Sequence, residues 1–337
     1  MPNIMINKVC NLKCPYCFAN EYVNCNNADN PNNMTLDDFK KAIEFSLYNN
    51  PNPRIGIIGG EPTLHPRFSE FMELLICDSR IDNVILFTNG VNLKKYANYL
   101  ANPKMHVLIN LNSPNDIGYS AFNKTIESID YLVNDLYLKE KVSVGINMYK
   151  KDFDYDYMIE TLNRFDIKRV RTSISVPNTD DLRSNSPFEY FLEMKPRVME
   201  FFNECLVNDI IPRFDCNLLP TCLIDDNDRE LLEKLSSKDS KSNLLCGPTC
   251  EPIIDILPNL KAVRCFGCSS ENDELDINDF TCIKDLFFSF KRLMDNKLSN
   301  EVSDNLCSSC YKHKTMQCTG GCLAFKKSKI EFLRNSN

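Results

Sequence analysis

The chain has 337 residues, a formal net charge of −7, 43% hydrophobic residues and 25% charged residues. This composition is typical of a folded globular protein, and the acidic balance argues against a nucleic acid as the main partner. No cationic segment leads into an apolar stretch at the N-terminus, and no run approaches about 20 apolar residues. We therefore expect no export signal, no membrane span, a cytoplasmic location, and one large domain with one smaller domain.

Apolar runs alternate with amphipathic segments along the first half of the chain. Strands are predicted, from runs rich in Val and Ile, at residues 1–7, 54–59, 83–88, 106–112, 142–148 and 169–175. Helices are predicted, from apolar residues at helical spacing, at residues 35–48, 66–79, 92–100, 120–136 and 155–165. Thr35 is the predicted cap of the first helix. Because repeated βα units form parallel sheets, the sequence predicts an α/β fold with an incomplete (β/α)6 barrel.

Two motifs follow the first two predicted strands. Cys10, Cys14 and Cys17 form a CxxxCxxC motif, whose thiols can hold three irons of a [4Fe-4S] cluster and leave the fourth iron open. Zinc sites also use CxxC pairs, so spacing alone leaves both metals open. The second motif, residues 59–62, is Gly-Gly-Glu-Pro. Its glycines allow the backbone to approach a ligand and Glu61 offers a carboxylate, although a structural turn after a buried strand is the plainer interpretation.

With Tyr16 and Phe18, these motifs resemble the radical S-adenosylmethionine (SAM) superfamily. The resemblance implies that the open iron binds the amino and carboxylate groups of SAM, and that an electron from the cluster cleaves SAM to a 5′-deoxyadenosyl radical. It also implies that Glu61 contacts the methionyl ammonium and that Tyr16 and Phe18 flank the adenine. The incomplete barrel agrees with this family.

Polar residues end the later predicted strands and should reach the same mouth of the barrel, because ligands gather at the carboxyl ends of parallel strands. Their positions are similar to those that contact SAM in the family. The predicted cofactor-binding residues are Tyr16, Phe18, Gly59, Gly60, Glu61, Pro62, Asn89, Asn110, Asn112, Ser113 and Asn147.

The pattern changes after residue 175. Residues 177–187 are polar and contain two prolines, which is typical of a connecting segment, and residues 188–210 predict a long amphipathic helix. We predict a barrel with a bridging helix over 1–210, a linker over 211–245 and a cysteine-rich domain over 246–337. Within that last domain, the apolar alternation of residues 253–263 predicts a hairpin that presents Cys265 at its end.

The cysteine-rich region has spacings compatible with zinc or with iron–sulfur clusters. It resembles the SPASM or twitch extension of radical SAM enzymes. That resemblance implies a first auxiliary [4Fe-4S] cluster on Cys246, Cys250, Cys265 and Cys322, and three corners of a second on Cys307, Cys310 and Cys318. The chain departs from the family at Leu260, where a glycine is usual, and it has no cysteine over residues 323–337 to supply the last ligand. We predict Cys282 as that ligand, with Cys268 or an open iron as alternatives.

Five other cysteines lie outside these sets. Cys77 and Cys205 fall in apolar helical segments and are predicted core residues. Cys25, Cys216 and Cys222 lie in polar or proline-containing surroundings. They are candidate thiols for donating a hydrogen atom to a substrate radical.

The resemblance implies two candidate functions, and a third remains from a different class. The first is modification of a ribosomally made peptide by hydrogen abstraction, giving a crosslink, an oxidation or an epimerisation. The second is anaerobic sulfatase maturation, which forms formylglycine; there the family has an acidic residue after the cysteine matching Cys265, whereas this chain has Phe266. The third is a non-enzymatic iron–sulfur or zinc protein, which would leave residues 59–62 without a purpose.

The expected partners follow from the first of these functions. They are a peptide or protein substrate and a reductant such as flavodoxin or ferredoxin. Because the first predicted strand begins almost at Met1, we expect a separate peptide-recognition protein or direct recognition by the mouth of the barrel.

Overall fold

The computed structural model describes residues 1–17, 19–23, 32–51, 53–176, 186–217, 219–246, 249–269, 271–301 and 304–335. The chain divides into two compact units, Met1–Ser143 with Pro252–Lys291, and Val144–Glu251 with Arg292–Asn337. Parallel strands form the core of this α/β fold, as predicted for a partial barrel. In the described residues no helix combines the length and the apolar character that crossing a bilayer requires.

Four parallel strands form the centre of the sheet in the first unit. They are β1 (Asn3–Met5), β2 (Arg54–Ile58), β3 (Asn83–Thr88) and β4 (Met105–Asn110), in that spatial order. On the other side of β1 the sheet continues with β8 (Asp255–Ile256), β9 (Lys261–Val263) and β10 (Leu275–Asp276). The carboxyl ends of β1 to β4 therefore meet at one edge, where the cysteine motif and residues 59–62 begin.

The helices of the first unit are α1 (Leu36–Leu47), α2 (Phe68–Cys77), α3 (Ala97–Leu100), α4 (Pro114–Ile117), α5 (Tyr119–Asp130) and α9 (Ile283–Phe290). Thr35 caps α1 as predicted, since its Oγ1 accepts a hydrogen bond from the Asp38 N–H at 3.1 Å. The predicted helix at 120–136 changes to a π-helical turn over its last part, Tyr131–Asp135.

The second unit contains three parallel strands, β5 (Val142–Met148), β6 (Arg169–Ile174) and β7 (Ile211–Phe214). The first two residues of β5 belong to the first unit, because the second unit begins at Val144. Its helices are α6 (Asp156–Arg164), α7 (Pro187–Val207), α8 (Asp226–Ser236), α10 (Asn296–Asn300), α11 (Asn305–Ser309), α12 (Tyr311–Lys314) and α13 (Leu323–Asn335). The long amphipathic helix predicted at 188–210 is thus α7.

Within residues 211–245, predicted as a linker, the structure contains β7 and α8. Pro212 lies within β7, which is the last strand in the order and pairs with β6 alone among the described strands; a missing N–H is tolerated at such an edge. Helix α8 is held to α7 by the Lys195 ammonium, which lies 2.6 Å from Asp228 and 3.0 Å from Asp225. The observed units accordingly do not follow the predicted boundaries at 210 and 246.

The predicted hairpin over 253–263 is confirmed as antiparallel strands β8 and β9. Its turn holds Leu260 at φ +64°, the left-handed region that a glycine would occupy without strain. Leu260 is nevertheless buried, with 6% of its surface exposed. Burial of the leucine side chain therefore offsets the backbone strain at the position where the resembling family has glycine.

We expect Leu260→Gly to lower the melting temperature of the protein. Relief of the left-handed strain contributes about 1–2 kcal/mol, whereas removal of a buried leucine costs about 2–5 kcal/mol. Thermal unfolding followed by circular dichroism measures the difference. An increase in melting temperature would show that strain, rather than burial, dominates at this turn.

Candidate functional site

Cys10, Cys14 and Cys17 lie in the loop directly after β1, and their thiols form one group. Burial raises the pKa of Cys14 to about 12, and repulsion from Cys10 and Cys17 adds to the shift. The Leu12 N–H donates to Cys10 Sγ at 3.4 Å, and Asn112 Nδ2 donates to Cys14 Sγ at 3.2 Å. Three thiols at this spacing, after one strand, can hold three irons of one cluster, so these residues fit a [4Fe-4S] cluster.

The two glycines of residues 59–62 are explained by a close approach of two backbone segments. The Gly60 N–H donates to the Asn7 carbonyl at 3.0 Å, and the Glu61 N–H donates to the Val9 carbonyl at 2.8 Å. A Cβ on Gly60 would lie 2.5 Å from the Val9 carbonyl oxygen, and one on Gly59 would lie 2.2 Å from Asn7 Oδ1. The absence of side chains at these two positions therefore lets the backbone that leads into Cys10 pass close by. The sequence had instead predicted a close approach to a ligand.

The Glu61 side chain is fully buried and links the ends of two strands. Its Oε1 accepts hydrogen bonds from Thr63 N at 3.1 Å, Thr63 Oγ1 at 2.6 Å and Thr88 Oγ1 at 2.7 Å. Its Oε2 accepts a hydrogen bond from Asn89 N at 2.7 Å. Burial raises the pKa of this carboxyl, and the four hydrogen bonds oppose the shift. A carboxylate has about four acceptor sites, two on each oxygen, so the internal donors saturate Oε1 and leave one site on Oε2 for the predicted SAM ammonium.

Asn89 and Asn112 connect later strand ends to the cysteine loop. Asn89 Nδ2 donates to Asn11 Oδ1 at 2.8 Å, and the Asn89 side chain also hydrogen-bonds Cys10. Asn112 Oδ1 accepts a hydrogen bond from the Tyr16 hydroxyl. These predicted cofactor-binding residues therefore contact the cluster loop itself.

Three further predicted residues lie at the same edge of the first unit. Asn110 ends β4, and its Oδ1 is buried with no hydrogen-bond partner among the described residues, which fits a donor group of a bound cofactor. Ser113 caps α4 by accepting a hydrogen bond from the Asn115 N–H at 3.3 Å. Pro62 begins the short 3-10 helix Pro62–Leu64. Phe18 lies outside the described residues, as does Cys25.

Asn147 and Cys216 belong to the second unit. Asn147 Oδ1 accepts a hydrogen bond from Arg171 Nη1 at 2.8 Å, and Arg171 also pairs with Asp215 at 2.9 Å. Cys216 Sγ lies 3.9 Å from Ser173 Oγ. Arg171 and Asp215 were not among the predicted site residues. Their positions, in β6 and directly after β7, could have indicated that they lie near Asn147.

The end of the cysteine loop packs into an apolar cluster. The cluster consists of Met5, Ala19, Tyr22, Leu257, Val263 and Phe266, with Cys17 packed against it. The rings of Tyr22 and Phe266 meet edge to face, with centroids 5.3 Å apart. The residue after Cys265 is thus part of the core that supports the cysteine loop.

The structure assigns the predicted auxiliary ligands to different units. Cys265, Cys268 and Cys282 lie in the first unit, where the buried Arg264 side chain donates from Nη1 to Cys265 Sγ at 3.6 Å. The second unit contains Cys222, Cys246, Cys250, Cys307, Cys310, Cys318 and Cys322. Across the described ranges, no three His, Cys, Asp or Glu side chains are spaced to hold a single metal ion. A four-iron cube is wider than one ion and spreads its thiolates farther apart.

The first half of the chain matches a known protein family. Residues 4–165 match the model of the Radical SAM superfamily. These residues form a radical SAM domain. Radical SAM domains bind a [4Fe-4S] cluster and SAM, and the matched range includes the predicted cluster ligands Cys10, Cys14 and Cys17.

Relatives of the radical SAM domain have several activities. The chain is 33% identical over 92 residues to GTP 3′,8-cyclase of Pasteurella multocida, covering 27% of this chain and 26% of that protein. It is 34% identical over 169 residues to 7,8-dihydro-6-hydroxymethylpterin dimethyltransferase of Methanocaldococcus jannaschii, covering 49% of this chain and 30% of that protein. The matches therefore span about a quarter to a third of these relatives' lengths.

A solved structure resembles a larger part of the chain. It is that of SuiB from Streptococcus suis bound to S-adenosylmethionine, with a TM-score of 0.61 and 15% identity, covering 96% of this chain and 72% of that chain. SuiB bound to the precursor peptide SuiA gives a TM-score of 0.58 at 16% identity. At these identities the likeness shows the fold.

We expect Gly60→Ala to weaken SAM binding and lower the iron content, because its methyl group would push the backbone before Cys10 out of place. Overpacking of this kind costs about 1–3 kcal/mol. Gly118→Ala is the control, since its Cβ meets no atom within 4 Å but sits at φ +83°, so it adds strain away from the loop. Equal loss of SAM affinity in both variants, measured by equilibrium dialysis, would contradict the account.

We expect Glu61→Gln to lower the stability of the protein even without SAM. The amide offers one acceptor oxygen and turns an N–H donor toward Thr88 or Asn89, and an unsatisfied buried donor costs about 1–3 kcal/mol. Thermal unfolding in the absence of SAM measures this loss. An unchanged melting temperature with weakened SAM binding would instead support a direct contact between Glu61 and the cofactor.

Proposed function

We propose that this chain is a radical SAM enzyme that modifies a residue of a ribosomally made peptide. The observation that carries the proposal is the group of three thiols after β1. The backbone just before these thiols is fixed to residues 59–62 by the two hydrogen bonds that Gly60 and Glu61 donate to Asn7 and Val9. Cys10, Cys14 and Cys17 would hold the [4Fe-4S] cluster, which supplies the electron for reductive cleavage of SAM.

The chain's own residues orient the cofactors in this proposal. Asn112 donates to Cys14 and Leu12 donates to Cys10, and hydrogen bonds to cluster sulfurs help set the reduction potential. Asn110 Oδ1 offers an acceptor to a hydroxyl or ammonium of SAM. Glu61 acts as a positioning residue, because its four hydrogen bonds fix Thr63, Thr88 and Asn89.

Three observations support a peptide as substrate. The fold resembles that of SuiB over 96% of the chain, and SuiB has been solved with a precursor peptide. The net charge of −7 favours a substrate without several phosphates. Phe266 is packed in the core, so the position after Cys265 offers no base for sulfatase maturation. The proposed product carries a crosslink, an oxidation or an epimerised residue.

The proposed auxiliary clusters and partners complete this function. Cysteines of residues 246–322 would hold one or two further [4Fe-4S] clusters that exchange electrons during turnover. A flavodoxin or ferredoxin would supply the reducing electron. A separate recognition protein is the proposed means of binding the peptide.

A second candidate function is cyclisation of GTP, favoured by the 33% identity to the Pasteurella multocida enzyme. That match covers 92 residues, and the matched family model ends at residue 165. The similarity therefore concerns 27% of this chain and 26% of that enzyme, and it does not extend to the rest of either protein. GTP is also a polyanion, which an acidic protein repels.

We expect replacement of Cys10, Cys14 and Cys17 by Ala to remove about four irons and to abolish SAM cleavage. The measurement is iron content together with 5′-deoxyadenosine formed after anaerobic reconstitution and reduction with dithionite. Cys77→Ala, which changes an exposed cysteine at the end of α2, is the control. Cleavage of SAM by the triple variant would refute the assignment of the cluster.

The substrate classes are separated by mass spectrometry of reactions with GTP and with synthetic peptides encoded by neighbouring short reading frames. We expect the mass of a peptide substrate to fall by the hydrogen atoms lost in a crosslink or an oxidation, or to rise by deuterium taken from heavy water if the product is an epimer. We expect GTP to be unchanged. Conversion of GTP without change in any peptide would favour the second candidate.

A further inference from the structure

The short turn Thr221–Leu223 of the second unit brings a cysteine next to the last cysteine motif. Leu223 and the preceding Leu219 are buried, whereas Cys222 is exposed. Thr221 Oγ1 accepts a hydrogen bond from Lys312 Nζ at 3.4 Å. Lys312 lies between Cys310 and Cys318, so the turn is held against the loop that carries these thiols.

Four thiols of the second unit interact electrostatically as one group. The Cys222 thiol lies within electrostatic range of the Cys307, Cys310 and Cys318 thiols. Cys307 and Cys318 lie within the same range of each other. Because such interactions act only over short distances, Cys222 stands with the three thiols that the motif already groups.

A buried cation lies beside this thiol group. The Lys326 side chain is buried, and its Nζ donates to the carbonyl oxygens of Glu301 at 2.7 Å and Leu298 at 3.3 Å. The Lys326 ammonium lies within electrostatic range of Cys307 and Cys318. A buried ammonium requires compensating negative charge, and thiolates bound to a cluster would supply it.

We propose that Cys222 is the fourth protein ligand of the auxiliary [4Fe-4S] cluster held by Cys307, Cys310 and Cys318. The inference rests on the proposed presence of that cluster and goes beyond it by naming the ligand. It replaces our prediction of Cys282, which lies in the first unit directly before α9 and is buried there. It also replaces the hydrogen-donor role considered for Cys222.

The assignment has a functional consequence. A cluster with four thiolate ligands has no iron free to bind a substrate thiolate, so it can only pass electrons. The peptide would then be held by other groups of the protein.

The test uses the full chain with Cys10, Cys14 and Cys17 replaced by Ala, so that all remaining iron belongs to auxiliary sites. Into this background we add Cys222→Ala, Cys307→Ala or, as a control from the same unit, Cys216→Ala. Iron and sulfide content and the electron paramagnetic resonance spectrum of the reduced protein are measured after anaerobic reconstitution.

We expect Cys222→Ala and Cys307→Ala each to lower the iron content, by about one atom if a three-iron cluster remains and about four if none does. Cys216→Ala should match the background. Iron loss in Cys307→Ala with no change in Cys222→Ala would overturn the ligand assignment alone, and no loss in either would overturn the cluster as well. If Cys222→Ala does not fold, Cys222→Ser decides: a shifted spectrum supports the assignment, and an unchanged spectrum overturns it.

Discussion

The pairing of Gly60 and Glu61 with Asn7 and Val9 is the interaction on which the site depends. Its two hydrogen bonds, of 3.0 and 2.8 Å, fix the backbone that enters the cysteine loop. Only glycine fits at residue 60, because any Cβ would meet the Val9 carbonyl. The Glu61 carboxylate then extends the same constraint to Thr88 and Asn89, so that the ends of β1, β2 and β3 are held together before a cofactor binds.

The two thiol groups have opposite electrostatic surroundings. Cys10 interacts electrostatically with the Glu61 carboxyl, whereas Cys307 and Cys318 interact with the buried Lys326 ammonium. Negative charge near an iron–sulfur cluster favours its oxidised form, and positive charge favours its reduced form. With these charges, the proposed first cluster would be the stronger electron donor, and the proposed auxiliary cluster would accept an electron more readily.

Local patterns predicted much of the first unit. Strand β3 matches its predicted bounds, and the cysteine motif follows β1 as expected, because apolar runs and ligand spacing are readable from neighbouring residues. The role of Glu61 was not readable, since its partners Thr88 and Asn89 come from another strand. Likewise, the hydrogen bond between Thr221 and Lys312, which links the turn of Cys222 to the loop of Cys310 and Cys318, is a tertiary contact that no spacing encodes.

The central claim is that the group of Cys10, Cys14 and Cys17 holds a cluster whose open iron binds SAM. Electron–nuclear double resonance of the reduced protein, with SAM labelled by nitrogen-15 in its methionyl amine, tests this claim directly. The account predicts a hyperfine coupling between the cluster and the labelled nitrogen, which is replaced by a nitrogen-14 signal when unlabelled SAM is used. A reduced cluster with SAM bound but no such coupling would contradict it.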